Sequence, residues 1–505
     1  MKQYDRTKDE EMMKEEEMMK IDGMTNDDDM TKEDETMKKY DRMKFMKYLG
    51  FIVALLGCIS LQAQDNYKFR VYFTDKSETE FTLDAPEQYL SERALLRRTK
   101  QGIAIDSTDL PVCGGYVSAL EELGATCVLT SKWNNTALMS TPDKQTAERF
   151  LQLAFVDTIR QVWEKPDTVF AETRNRKEMV KNKWTEKDDY YGVAADQIRM
   201  HHGEKLHDAG FRGKGIQVAV IDAGYLNVDL IKLFKRLNII GTRDFVNPQS
   251  DIYAEHYHGL KVLSCMAANR PYVMVGTAPE AGYWLLRSED NDTEQLSEED
   301  YWSAAIEFAD SVGVDVVNSS LGYYDFDNDA DNYQYRDLDG RTAMISRSAD
   351  KAVDKGMLVV CSAGNSGAGS WKKITPPADA VNVLAVGAVN SLGLNATFSS
   401  VGNTTDGRIK PDVMAIGFLS AVASDNGSTS IGHGTSFAAP IFCGLAACLW
   451  QACPWLTVHE LIDIIRTSGD RSDCPDNIFG YGVPDLWKAY QMGQERKEEC
   501  LEKKE

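Results

Sequence analysis

Nowhere in this chain of 505 residues do two cysteines stand two residues apart. Its ten cysteines are scattered, which removes the pattern of a zinc cluster and of a thioredoxin-type redox site. Positive charge is also scarce: 56 Lys and Arg stand against 78 Asp and Glu, a formal net charge of −22. Phosphate recognition needs a basic surface, so nucleic acid is not expected as a partner. A nucleotide cradle is missing too. Gly213 and Gly215 precede the strand "IQVAVID", whereas such a loop must follow its strand, and no Walker lysine pattern occurs. What remains is an acidic chain long enough for two or three domains, each with its own core.

The first 42 residues, including "EEMMKEEEMMK", are charged, methionine-rich and nearly repetitive, a composition that cannot bury enough apolar area to fold. A different layout follows over 43–63. Arg42, Lys44 and Lys47 precede an apolar stretch of 13 residues, Leu49 to Leu61, and Ala63 closes it. That is a secretory signal, too short and wrongly flanked to span a bilayer, so no transmembrane helix is expected. Its depth in the chain is explained if translation starts at Met43 or Met46. "LLGC" also resembles a lipoprotein processing site, which would anchor the protein through Cys58; cleavage after Ala63 is the alternative. Either way the product is secreted, or held in the periplasm or cell envelope. In an oxidising compartment Cys453 and Cys474, which flank a helix and a polar loop, could pair; the other option is two free thiols.

Residues 64–163 alternate strand and helix signals. "KFRVYF", "GYVSALEELG", "TCVLTS", "TALMST", "DKQTAERFLQL" and "VDTIRQV" read β-α-β-β-α-β, the order of a small ferredoxin-like α+β sandwich. An arginine-rich helical insert, "SERALLRRTKQG", separates the first strand from the first helix. Residues 164–187 carry many charges without an apolar period and read as a linker. From 188 to 493, "IQVAVID", "GYWLLRS", "VDVVNSSLG", "GMLVVCSAGN" and "VNVLAVGAV" are β-branched strands separated by helical stretches. Strands apolar on both faces need helices on both sides, which predicts a doubly wound, mostly parallel α/β sheet. Residues 494–505 form a charged tail.

Function in such sheets gathers beyond the carboxyl ends of strands. Asp222 ends the first strand, and its apolar setting requires a partner for the carboxylate. His258 in "HYHGLKVLS" stands at a helix start, where imidazole can face a cleft; taken alone it is more readily a structural histidine. His256, two residues earlier, is expected at the surface. Asn365 in "SAGNSG" follows a later strand and equally suits a glycine-flanked turn. Ser436 in "GTSFAAP" opens a helix whose Ala438 and Ala439 permit close burial, with Pro440 expected in the first turn. A capping role would account for that serine by itself. Together the four supply a nucleophile, a base, an orienting carboxylate and an oxyanion donor, in the chain order Asp, His, Ser.

These motifs, with "GKGIQVAVIDAG", "VGTAPEA", "VVNSSLG", "FSSVG", "KPDVMA" and "FGYGVPD" in the same order, make residues 190 to 492 resemble the catalytic domain of the subtilisin-like serine proteases. The resemblance implies an endopeptidase with Ser436 as nucleophile, His258 as base and Asp222 as its orienter. Asn365 would serve the oxyanion, and Ser320, Leu321 and Gly322 would pair with the substrate backbone. It implies polypeptide substrates, and a removable propeptide for the first sandwich, which otherwise is a permanent accessory domain. No cofactor is required. Calcium is common in the family, and Asp327, Asp329 and Asp331 have the alternate spacing of a calcium loop, but Asn332 replaces the expected glycine. Two positions depart from the pattern: Ala223 where Ser or Thr is usual, and Leu260 where Thr is usual. A catalytically silent scaffold on the same fold is the alternative reading.

Overall fold

The structure is a computed structural model describing residues 66–166 and 176–502, with side chains to residue 498. The charged extension, the signal segment with Cys58, and residues 167–175 of the linker lie outside the described residues. The described residues belong to one compact unit.

The amino-terminal part is the expected sandwich. Strands β1 (Tyr67–Phe73), β2 (Thr126–Ser131), β3 (Thr136–Thr141) and β4 (Val156–Glu164) form a sheet of order β2-β3-β1-β4, antiparallel throughout. The insert is helix α1 (Glu92–Gln101), capped by the Ser91 hydroxyl and ended by Gly102 at φ +68°, a conformation that favours glycine. Helices α2 (Gly114–Glu122) and α3 (Lys144–Glu148) follow their strands. All six residues of β3 are buried, because its two faces meet different partners. Ala137 and Met139 join the sandwich's own core around Phe69, Tyr116 and Phe150, whereas Leu138 packs into the large core of the following domain.

That domain is built on seven strands: β5 (Gln217–Asp222), β6 (Asn238–Asp244), β7 (Gly282–Arg287), β8 (Val316–Ser319), β9 (Leu358–Ser362), β10 (Leu384–Val389) and β11 (Val413–Ile416). Their order is β11-β10-β9-β8-β5-β7-β6, all pairs parallel. The edge strands β6 and β11 were not expected. β6 alternates exposed and half-buried residues, as an edge allows, and β11 has only four residues. A hairpin, β12 (Phe418–Ala423) with β13 (Thr429–His433), leads into the helix bearing Ser436. The principal helices are α4 (His258–Ala267), α5 (Ser297–Val312), α6 (Met344–Asp354), α7 (Thr435–Ala452), α8 (Val458–Thr467) and α9 (Leu486–Glu502). Among the described residues α7 alone is long and apolar enough to cross a bilayer, and it is the central core helix, 94% buried.

Within the linker, Arg176–Met179 forms one helical turn, and Arg176 pairs with Asp251 at 2.8 Å and with Asp229. The charged tail continues α9 as far as Glu502. Cys453 and Cys474 are free thiols, the first buried and the second exposed, so the pairing is not made.

The sandwich docks on α5 through buried charge. Arg70 donates to both carboxylate oxygens of Asp300 at 2.7 and 2.6 Å. Glu307 accepts from the Ser131 hydroxyl and from the backbone N–H groups of Lys132 and Trp133 at 2.6, 2.7 and 3.1 Å. Asp310 takes Arg97, Arg98 and Lys132 at 2.5, 3.0 and 3.0 Å. Burial would raise the Asp310 carboxyl, but these three cations hold it well below the usual range.

Candidate active site

Register brings the functional loops to one rim. Asp222 pairs with Arg287, and Ile221 with Ser319, which in turn pairs with Cys361, so β5, β7, β8 and β9 all end within a residue or two of one level. Asp222 is fully buried. Its Oδ1 accepts from Nδ1 of His258 at 2.7 Å and from the Ala223 N–H at 2.8 Å. Its Oδ2 is buried with no hydrogen-bond partner.

His258 opens α4, which lies against β5 because Gly259 has no side chain. A Cβ there would sit 2.4 Å from the Gly224 carbonyl oxygen and 3.0 Å from the Asp222 Cβ. Burial lowers the affinity of the imidazole for its proton, yet the attraction and hydrogen bond of Asp222 outweigh it, so the pKa is raised. His256 is not simply a surface residue. It lines the cleft, and its Nδ1 accepts the His258 N–H at 3.3 Å.

Ser436 is the second residue of α7. Pro440 lies at the sixth helical position, not in the first turn as expected. Having no N–H, it leaves the carbonyl four residues back unpaired. That carbonyl is Ser436's own, and the Ser320 hydroxyl donates to it at 2.9 Å. The Ser436 hydroxyl in turn donates to the Ser320 carbonyl at 3.2 Å. It therefore donates to backbone and not to His258; hydrogen bonds of this kind commonly tighten only when substrate binds. Phe437, the next residue, has its ring 6.1 Å from that of His258.

Asn365 is anchored to the start of the same helix. Its Oδ1 accepts from the Thr435 N–H at 2.8 Å and the Thr435 hydroxyl at 3.0 Å, which fixes the amide and turns Nδ2 the other way. Ser320, Leu321 and Gly322 continue β8 past the end of its ladder and line the cleft with His258 and Asn365. Gly322 is required by packing: a Cβ would lie 2.1 Å from the Thr375 hydroxyl oxygen.

The acidic loop does not fit calcium. Asp331 pairs with Arg160 of the sandwich at 2.8 Å, Asp327 accepts the Glu294 N–H at 3.1 Å, and Asn328 caps the turn that follows. Among the described residues no group of three or more His, Cys, Asp or Glu side chains is assembled to hold a metal.

A doubly wound parallel sheet with a carboxylate-held imidazole at its carboxyl rim, and a serine opening the core helix beside an extended rail, defines a serine-type endopeptidase. Residues 213–482 match the family model described as "Subtilase family", and residues 68–181 match "Peptidase S8 propeptide domain, Bacteroidota". The chain belongs to the subtilase family. It is 32% identical over 297 residues to Subtilisin NAT of Bacillus subtilis subsp. natto, covering 58% of this chain and 68% of that one. With Serine protease AprX of Bacillus subtilis strain 168 it shares 31% identity over 302 residues, 54% of this chain and 65% of the relative. Among solved structures, MycP1 from Mycobacterium smegmatis matches with a TM-score of 0.48 and 23% identity over 62% of this chain and 86% of that one.

Proposed function

We propose that this protein is made as a secreted proenzyme and cleaves polypeptides through an acyl-enzyme on Ser436. His258 takes the Ser436 proton as Oγ attacks the scissile carbonyl, and later gives a proton to the leaving amine. Asp222 holds the ring in the tautomer that presents Nε2 to the serine and stabilises the imidazolium. The Asn365 Nδ2 and the Ser436 N–H donate to the oxyanion as it develops. Water then attacks the ester, with His258 as base. Ser320, Leu321 and Gly322 pair with an extended substrate strand, and main-chain pairing favours polypeptides in extended form. The 2.7 Å contact between Nδ1 of His258 and Asp222 is the observation that carries this reading, because it leaves Nε2 as the nitrogen available to a substrate-side proton.

The sandwich of residues 66–164 is the proenzyme's inhibitory and folding partner. Its docking on α5 through complementary buried charge supports that role, as does its match to a propeptide family. The signal segment supports export, and no metal is assigned a part.

A fluorophosphonate probe should label the wild-type protein and leave Ser436→Ala unlabelled. Mass spectrometry of the two secreted proteins should find a shortened form only in the wild type. Absence of labelling would leave a silent scaffold, and equal shortening of both proteins would exclude self-processing.

A further inference from the structure

The cleft of about 550 Å³ lined by His258, Asn365 and the rail of residues 320–322 also takes in an acidic cavity, and its lining includes no lysine or arginine. Its walls are carboxylates from three places: Glu289, Asp290 and Asp292 just past β7, Glu294 and Glu298 at the approach to α5, and Asp327 after β8. Glu298 is 1% exposed. Its Oε1 accepts the Asp290 N–H at 2.8 Å, but Oε2 has no hydrogen-bond partner. Glu289 accepts from the Tyr323 hydroxyl. The cation nearest in sequence, Arg287, is engaged elsewhere, with Asp244 at 2.9 Å and Glu255 at 3.5 Å. Burial first, and then the neighbouring carboxylates, hold Glu289, Glu294 and Glu298 above the ordinary carboxylate range, although the attraction of Arg287 pulls Glu289 part of the way back.

A buried carboxylate oxygen without a donor is costly unless something arrives to satisfy it. The cavity adjoins the rail that would align a substrate strand, and side chains of an extended peptide alternate sides every residue.

We infer that this cavity is a specificity subsite for a lysine or arginine side chain of the substrate, about two to four residues before the scissile bond. Glu298 and Glu289 receive the charge, and Glu294 screens the mouth. The inference rests on the endopeptidase reading and deepens it by naming a substrate class.

The test uses the mature enzyme, with active sites counted by fluorophosphonate labelling, and matched fluorogenic peptides bearing Arg, Lys, Gln or Glu at each of those upstream positions. At one position Arg or Lys should raise kcat/KM over Gln by about tenfold or more, the worth of one buried charge-assisted pair. The ratio should fall toward one in Glu298→Gln and in Glu289→Gln, and should shrink with added salt in the wild type. Because the readout is a ratio per labelled site, lower overall activity in a variant does not mimic the effect. If both variants fail to fold, Glu294→Gln and the salt series carry the same test. A labelled, active enzyme that treats Arg and Gln alike at every position, or a preference unmoved by both salt and these substitutions, overturns the inference while leaving the protease reading intact. Failure to label at all removes the reading beneath it.

Discussion

At the residue scale the unusual atom is Oδ2 of Asp222, buried with no donor while Oδ1 serves both His258 and the Ala223 N–H. A serine in place of Ala223, whose N–H already reaches this carboxylate, would offer it a hydroxyl donor. Ala223→Ser should stabilise the folded enzyme by about 1 kcal/mol, read as a higher denaturant midpoint with unchanged m-value, and a lower midpoint would count against the account. The Asp222 contact also has a pH consequence. His258 must be neutral to act as base, and its pKa is raised. The acid limb of kcat/KM should therefore fall above the ordinary histidine value of about 6.5. The same shift adds stability that is complete below the ordinary value and is lost as pH rises through the raised one. A limb at or below 6.5 would mean that Asp222 does not govern the ring.

At the scale of elements, small residues let the pieces meet. Gly322 lies against Thr375, with room for no further atom. Gly322→Val should push the rail out of line and reduce kcat/KM on peptides by about tenfold or more, while fluorophosphonate labelling of Ser436, which needs no strand pairing, persists. Loss of both activities together would point to misfolding instead. This is also the scale at which the sequence was most legible. Five strands stood out because a sheet covered on both faces leaves runs such as "VAVID" and "LAVGAV" without polar interruption. The edge strands did not, since β6 has one wet side and β11 is too short to show a period. Pro440 was placed a turn early, because nothing local reveals that Ser320 would supply the hydrogen bond it removes. The acidic cavity was the largest omission. "SEEDYW" at a helix start reads as an exposed first turn favoured by the helix dipole, and only tertiary packing shows Glu298, Glu299 and Asp300 buried. Asp222, His258, Asn365 and Ser436 could be proposed as a set because order along the chain carries information that no single residue does, and the structure brings His258 to Asp222 and Asn365 to the start of the helix bearing Ser436.

At the scale of the whole molecule, the sandwich and the catalytic domain share a boundary made of buried ions. Arg70 is 1% exposed and faces Asp300, with Glu299 at 3.8 Å. Removing one side of such a pair costs far more than the pair contributes, since the remaining charge stays buried. Arg70→Ala in a Ser436→Ala background should destabilise the proenzyme by about 3–5 kcal/mol in urea unfolding. An unchanged urea midpoint would place this ion pair outside what holds the two parts together. The sandwich's sequence showed its β-α-β-β-α-β order but not this boundary, because its arginines resemble an ordinary solvated helix until their partners on α5 are in place.

One consequence lies in β3, whose Leu138 packs into the neighbouring domain's core while Ala137 and Met139 face the sandwich's own. Cut from its neighbour, the four-stranded sheet would carry a bare greasy side into water, where it is prone to stick to other chains or to be digested. If the sandwich is cut away on activation, as proposed, that step runs in one direction, because such a fragment would be lost before it could return.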